Sequence, residues 1–199
     1  MAGAFPISTA QFESLGIKSI QNTIISKSVS GKKLARQIDG QRWGFTAKVI
    51  TAKRSDVYGE LISFIVKQRS GKENFTIIPP EVEDARGTAS GTPNGTASAG
   101  ATSITLGGTG TGTLKAGDFI KFASHDKVYM VVADQSDIST GSLTIEPPLT
   151  TAVSSSDIQY DNVPFTVHLT NDIQEFGVVG ADKDGNALYQ FEFDVEESL

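Results

Sequence analysis

The sequence predicts a mainly β fold, a sandwich or barrel with one flanking α-helix and an inserted small β domain, on three observations. Apolar residues recur with a period of two, as at Trp43, Phe45, Ala47 and Val49, which marks strands with one buried face. Twenty glycines, with many Thr and Ser, point to turns and β structure. A helical period occurs convincingly in one stretch alone, residues 55–71.

Residues 1–40 predict an extended, loosely organised segment. Phe5, Ile7, Phe12, Leu15, Ile17 and Ile20 are spaced too irregularly for one helix. Residues 22–29 are rich in β-branched side chains and predict a strand. Ser30-Gly31 signals a turn, residues 32–38 pair back, and Asp39-Gly40 is a tight-turn dipeptide before the Trp43 strand. An antiparallel hairpin is therefore expected from about residue 23 to residue 50.

Residues 41–80 predict strand, helix, strand. In the helix, Val57, Leu61, Phe64 and Ile65 form an apolar stripe flanked by Tyr58 and Ile62. Ser55 is placed to cap its start, with Asp56 in the first turn, Lys67 and Arg69 in the last, and Gly71 just past the end. Residues 75–78 are strand-like and stop at Pro79-Pro80.

Composition then changes. Residues 86–112 are Gly, Thr, Ser and Ala with a Pro-Asn-Gly turn and one apolar patch, Ser103-Ile104-Thr105-Leu106. They read as a long flexible connection with too little apolar surface for a core. Strand patterns return at 117–122, 128–133, 141–145 and 157–160, with a turn at 124–127, and predict a small barrel or sandwich module.

The end of the chain resumes the first pattern. Val163, Phe165, Val167 and Leu169 share one face, residues 175–181 form a further strand, and Asp184-Gly185-Asn186 turns into residues 187–195. There Tyr189, Phe191, Phe193 and Val195 align on one face. So aromatic a strand needs a partner sheet, and 41–80 supplies one. Residues 1–85 plus 162–199 are thus expected to form one discontinuous domain, with 86–161 a dispensable insertion. Closure entropy rises slowly with loop length, so an insertion between strands costs little.

The 199 residues contain no cysteine, which excludes disulfides and thiolate chemistry. No apolar run approaches the length of a membrane span. The N-terminus lacks the basic start and apolar core of a signal peptide, so synthesis and residence in a cytosol is expected. The net charge of −6 is uneven: residues 1–85 hold 12 Lys/Arg against 8 Asp/Glu, and residues 86–199 hold 5 against 15. The acidic half argues against nucleic-acid binding.

No constellation for catalysis emerges. His125, at a hairpin tip, and His168, on the polar side of a strand, read as solvated surface histidines. Gly107-Gly-Thr-Gly-Thr-Gly112 lacks the Lys-Ser/Thr and helix of a phosphate loop. Asp182-Lys-Asp-Gly-Asn186 lacks the bidentate Glu of a Ca²⁺ loop and reads as a turn. Glu192, Asp194, Glu196 and Glu197 are expected as a solvated acidic stripe that discourages strand pairing. Catalytic, cofactor-binding and metal-ligating residues: none is expected, nor any cofactor.

Three stretches together resemble the tail structural proteins of tailed bacteriophages, the tail tube, distal tail and baseplate ring family. The passage from Ser30-Gly31 to Gln41-Arg42-Trp43 is similar to their "sGk…R…DGqRw" opening. Ile62 to Ile78 resembles the helix-to-strand crossover that follows. Phe165–Asp172, Tyr189–Asp194 and Glu197-Ser-Leu199 resemble their terminal strand. The likeness covers 1–85 and 162–199, and residues 86–161 are similar, more weakly, to accessory β domains of such proteins.

The resemblance implies a tail-tube-like sandwich or barrel and a virion protein that assembles in the host cytoplasm. It implies a homohexameric ring whose partners are copies of itself and neighbouring tail tube and baseplate proteins. DNA would pass through the central channel without specific binding, and no membrane is involved. The appended domain favours a ring at the distal tail or baseplate; the alternative is the repeated major tail tube subunit. Phe5, Phe12, Leu15 and Ile17 are expected to lie across a neighbouring subunit. A different class is a carbohydrate- or cell-surface-binding module, with Tyr129 and Phe122 available for stacking on sugars.

Overall fold

The computed structural model of the chain describes residues 3–6, 11–37 and 40–199. Ile7, Ile38 at the end of the expected returning strand and Asp39 of the expected turn lie outside the described residues. In chain order the strands are β1 (Phe12–Ile20), β2 (Thr23–Lys27), β3 (Lys33–Gln37), β4 (Arg42–Val49), β5 (Ala52–Lys53) and β6 (Phe75–Ile77). Then come β7 (Pro93–Ala97), β8 (Ser103–Gly108), β9 (Phe119–Phe122), β10 (Val128–Val131), β11 (Ser142–Glu146) and β12 (Val153–Gln159). The last four are β13 (Phe165–Leu169), β14 (Gly177–Ala181), β15 (Ala187–Gln190) and β16 (Glu192–Glu197). One α-helix, α1 (Gly59–Lys67), stands among the described residues.

The fold is mainly β. Five strands form an antiparallel sheet in the order β1-β4-β16-β13-β6. Trp43, Phe45, Ala47 and Val49 of β4 are all buried, as their alternation predicts. Phe191, Phe193 and Val195 are buried on the same core, and β16 pairs directly with β4, Phe193 opposite Ala47 and Val195 opposite Phe45.

The N-terminal region departs from expectation. Residues 12–20 are a full strand, paired with β4 from Phe12 opposite Val49 to Ile20 opposite Arg42. A bulge between Phe12 and Ser14 shifts the side-chain phase, so the apolar spacing hides the strand. The hairpin ends earlier than expected: β2 pairs with β3 from Thr23 opposite Gln37 to Lys27 opposite Lys33, whereas β4 joins β1 and β16.

α1 lays Leu61 and Ile65 on the sheet core, after a π-turn (Arg54–Tyr58) that buries Tyr58. Ser55 does not cap the helix. It sits inside the π-turn, its hydroxyl 3.2 Å from the Asp56 carboxylate. Nor does Gly71 end it: the left-handed residues are Arg69, at φ 54°, and Ser70, at φ 61°. Gly71 is needed for space, because a Cβ there would stand 2.7 Å from the Leu169 carbonyl oxygen.

Residues 86–112 are not a loose connection. They contribute β7 and β8 to a closed antiparallel barrel in the order β10-β11-β8-β7-β12-β9. Its interior holds Ile104, Leu106, Ile120, Phe122, Tyr129, Val131, Leu143 and Ile145. Among the glycines that suggest a linker, Gly95 is required by the narrow barrel. A Cβ at Gly95 would come within 2.7 Å of Ile104 and 2.8 Å of Phe122. Small residues let large ones from facing strands fill the interior, as in other small barrels.

The last aromatic run is two strands rather than one. β15 pairs with β14 and β5 in a three-stranded sheet; the chain then crosses at Phe191 into the five-stranded sheet as β16. Tyr189 stacks on Tyr58 with ring centroids 5.9 Å apart.

Candidate functional site

Two surfaces and one buried cluster carry the features that call for a function. The first surface is the β2–β3 hairpin. Every residue of both strands is exposed, including Ile24, Ile25 and Leu34, and Val29 stands fully out at its turn. Lys27, Lys32, Lys33 and Arg36 give it four positive charges and no negative one. A two-stranded hairpin with neither face covered is marginally stable in water.

The second surface is the edge of the three-stranded sheet. β14 is its outer strand, and Val178, Val179 and the preceding Ile173 are exposed. Asp172, Glu175 and Asp184 lie in the same exposed region, and Lys183 is its one exposed cation. Unpaired backbone groups beside apolar side chains make such an edge ready to accept a further strand.

The buried cluster lies where the barrel meets the five-stranded sheet. Lys127 starts the returning arm of the β9–β10 hairpin, and Glu197 ends β16 on its buried side. Their side chains are 2% and 0% exposed and form an ion pair. Glu197 also accepts hydrogen bonds from the backbone N–H of Val128 at 2.8 Å and of Trp43 at 3.1 Å. Lys127 donates to the Gln41 side-chain carbonyl at 3.0 Å. Trp43 donates its indole N–H to the Val128 carbonyl at 2.9 Å and meets Phe119 edge-on. Burial pushes the Glu197 carboxyl up and the Lys127 ammonium down from their ordinary values; their mutual attraction opposes both shifts.

The acidic stripe is therefore not as expected. Glu197 is in the core, and β16 is a central strand. Of the outward acids, Asp194 pairs with Lys18 and Glu196 with Arg42, while Glu13 pairs with Lys48 on the same face. That face carries alternating charges.

His125 is a second correction. The turn folds it under the barrel end, 9% exposed. Its Nδ1 is 3.1 Å from the Tyr129 hydroxyl, which accepts from the Thr150 N–H at 3.2 Å, and its Nε2 is buried with no hydrogen-bond partner. His168 is half-buried on β13, opposite Glu196. Tyr129 and Phe122 fill the barrel interior and offer no face for stacking on sugars. Phe5 is buried in the chain's own core rather than left free for a neighbour, and Phe12, Leu15 and Ile17 pack against that core, partly buried. Phe5 stands 5.2–5.9 Å from the rings of Phe12, Phe64, Phe75 and Phe193.

Residues 107–112 run from the end of β8 alongside residues 90–92, with Thr109 and Thr111 donating backbone N–H to Thr92 and Ser90. Residues 182–186 are a turn held by the Asp182 carboxylate, which accepts from the backbone N–H of Asp184 and Asn186 and pairs with Lys53. Among the described residues no group of three His, Asp or Glu is placed to hold a metal ion. No helix among them is long and apolar enough to cross a membrane.

Residues 83–163 match the family model of the distal tail protein pb9, B domain. The matched range contains all six barrel strands. No curated protein matches the chain.

Proposed function

We propose that this chain, a structural protein of the phage virion tail with a distal tail role by the match over its barrel, builds a homohexameric ring there. The observation that carries the ring is the uncovered β2–β3 hairpin. Its apolar and basic residues complement the apolar, acidic β14 edge. Seating one copy's hairpin against the next copy's β14 edge is a heterologous contact, and such contacts close into rings when the rotation permits.

The channel of that ring is proposed to pass DNA without binding it, and its partners to be the adjoining tube and baseplate proteins. Assembly belongs in the host cytoplasm. The barrel, residues 86–161, is proposed as an inserted module on the discontinuous 1–85 and 162–199 domain, and no catalytic activity is assigned. Electron microscopy of the purified protein, or of tails containing it, tests the reading. Single six-fold rings support it; stacked tubes favour the repeated tube subunit. Assembly that persists after residues 23–37 are replaced by a short Gly-Ser turn overturns the hairpin's part.

A further inference from the structure

We infer that Lys127 and Gln41 form a self-processing pair, joined by an amide bond between the Lys127 amine and the Gln41 carboxamide carbon, with Glu197 as the proton acceptor. This goes beyond the tail reading and does not depend on it. The bond would tie the barrel covalently to the lead-in of β4.

Three groups of the right chemistry meet out of water. Lys127 Nζ lies 3.0 Å from Gln41 Oε1 and in contact with Glu197 Oε2. Gln41 is 1% exposed, and the other two are as deeply buried. Trp43 walls the cluster, with Nζ 5.7 Å from the centre of its ring, and Phe119 backs Trp43 edge-on.

The carboxamide can face only one way. Gln41 Nε2 donates to the Arg42 carbonyl and to Ser19 Oγ, both at 3.1 Å. A backbone carbonyl can only accept and an ammonium can only donate, so the oxygen must point at Lys127 and the nitrogen away. The amine is thus held 3.0 Å from the oxygen of the carbonyl whose carbon it would attack, with the leaving nitrogen turned away. Gln41 also borders two surface grooves, one of about 260 Å³ and one of about 250 Å³, that give ammonia an exit.

The chemistry balances without a cofactor or redox partner. Lys127 gives one proton to Glu197, leaving a neutral amine whose lone pair forms the new bond to Gln41 Cδ. The C=O electrons move to Oε1. When the carbonyl re-forms, the Cδ–Nε2 bond breaks, and the nitrogen leaves as ammonia with a proton from the Ser19 hydroxyl, 3.1 Å from it. Solvent in the groove that Ser19 lines restores that proton and takes up the second one shed by the attacking amine, and Glu197 keeps the first. An amine and a primary amide become a secondary amide and ammonia. Fixed proximity replaces a bimolecular encounter, and a dry site favours the neutral nucleophile. Burial lowers the Lys127 pKa and raises that of Glu197, which favours that first proton transfer.

Intact mass of the folded wild-type chain, measured after denaturation, decides. The expected value is one ammonia below the sequence mass, with protease digestion yielding a branched peptide that joins Lys127 to Gln41. Lys127→Arg should restore the full mass, and Glu197→Gln should leave most of the chain unlinked. Full sequence mass in the folded wild type overturns the proposal, as does a lost ammonia that maps elsewhere. Linkage of Glu197→Gln to the wild-type extent overturns the mechanism. Should the variants not fold, the wild-type mass and digest still decide.

Discussion

The Trp43 indole N–H points at the Val128 carbonyl oxygen, 2.9 Å away, across the seam between the five-stranded sheet and the barrel. The bond is buried and joins residues 85 positions apart. Trp43→Phe keeps most of the apolar area but orphans a buried acceptor. Stability should fall by about 1–3 kcal/mol. Chemical denaturation of the variant checks this, and an unchanged midpoint would contradict it.

Phe191 and Phe193 are 1% and 2% exposed and stack at 5.4 Å. Phe191→Ala or Phe193→Ala should each cost about 3–5 kcal/mol, from lost apolar transfer and the cavity left behind. Wild-type-like melting of both would show that the last strand is not docked as described.

Removing Glu197 strands a buried cation and two backbone donors. Glu197→Ala should destabilise the chain by about 3–5 kcal/mol, as breaking one side of a buried pair does. The double variant Glu197→Ala with Lys127→Met should regain much of the loss. Equal stability of the single and double variants would argue against the pairing.

Burial lowers the pKa of His125 below its ordinary 6.5. The unfolded chain therefore takes up this proton at a higher pH than the folded one. Stability from the neutral imidazole is full above the unfolded value and declines as pH falls below it towards the folded value. Melts between about pH 7 and about pH 5 should show His125→Gln losing less stability than wild type. Parallel losses in the two proteins would rule the histidine out.

Excising residues 86–161 for a Gly-Ser connection should leave a folded sheet only when the seam is also repaired. Phe119 and Val128 of the barrel pack in the sheet's core, and Lys127 covers the buried Glu197 carboxyl. The excised chain should melt well below one that also carries Glu197→Gln. Circular dichroism showing disorder in both would mean that the two parts fold as one.

Much of the architecture is local and legible. A strand with one buried face leaves its period in its own residues, so β4, β9, β10, β11 and β13 stand out, as do the end of β12, the aromatic face of β16 and the stripe of α1. Single-segment patterns fail where pairing sets the outcome. The bulge in β1 scrambles its spacing. β7 and β8 look polar because Gly95 and its neighbours must make room for Ile104 and Phe122 from facing strands. Glu197 sits among surface-like acids in the sequence, yet its partner Lys127, 70 positions away, is brought beside it only when the barrel docks. Burial of a charge is a property of what closes over it. No local pattern encodes that cover; the packed seam supplies it, and with it the Lys127–Gln41–Glu197 cluster.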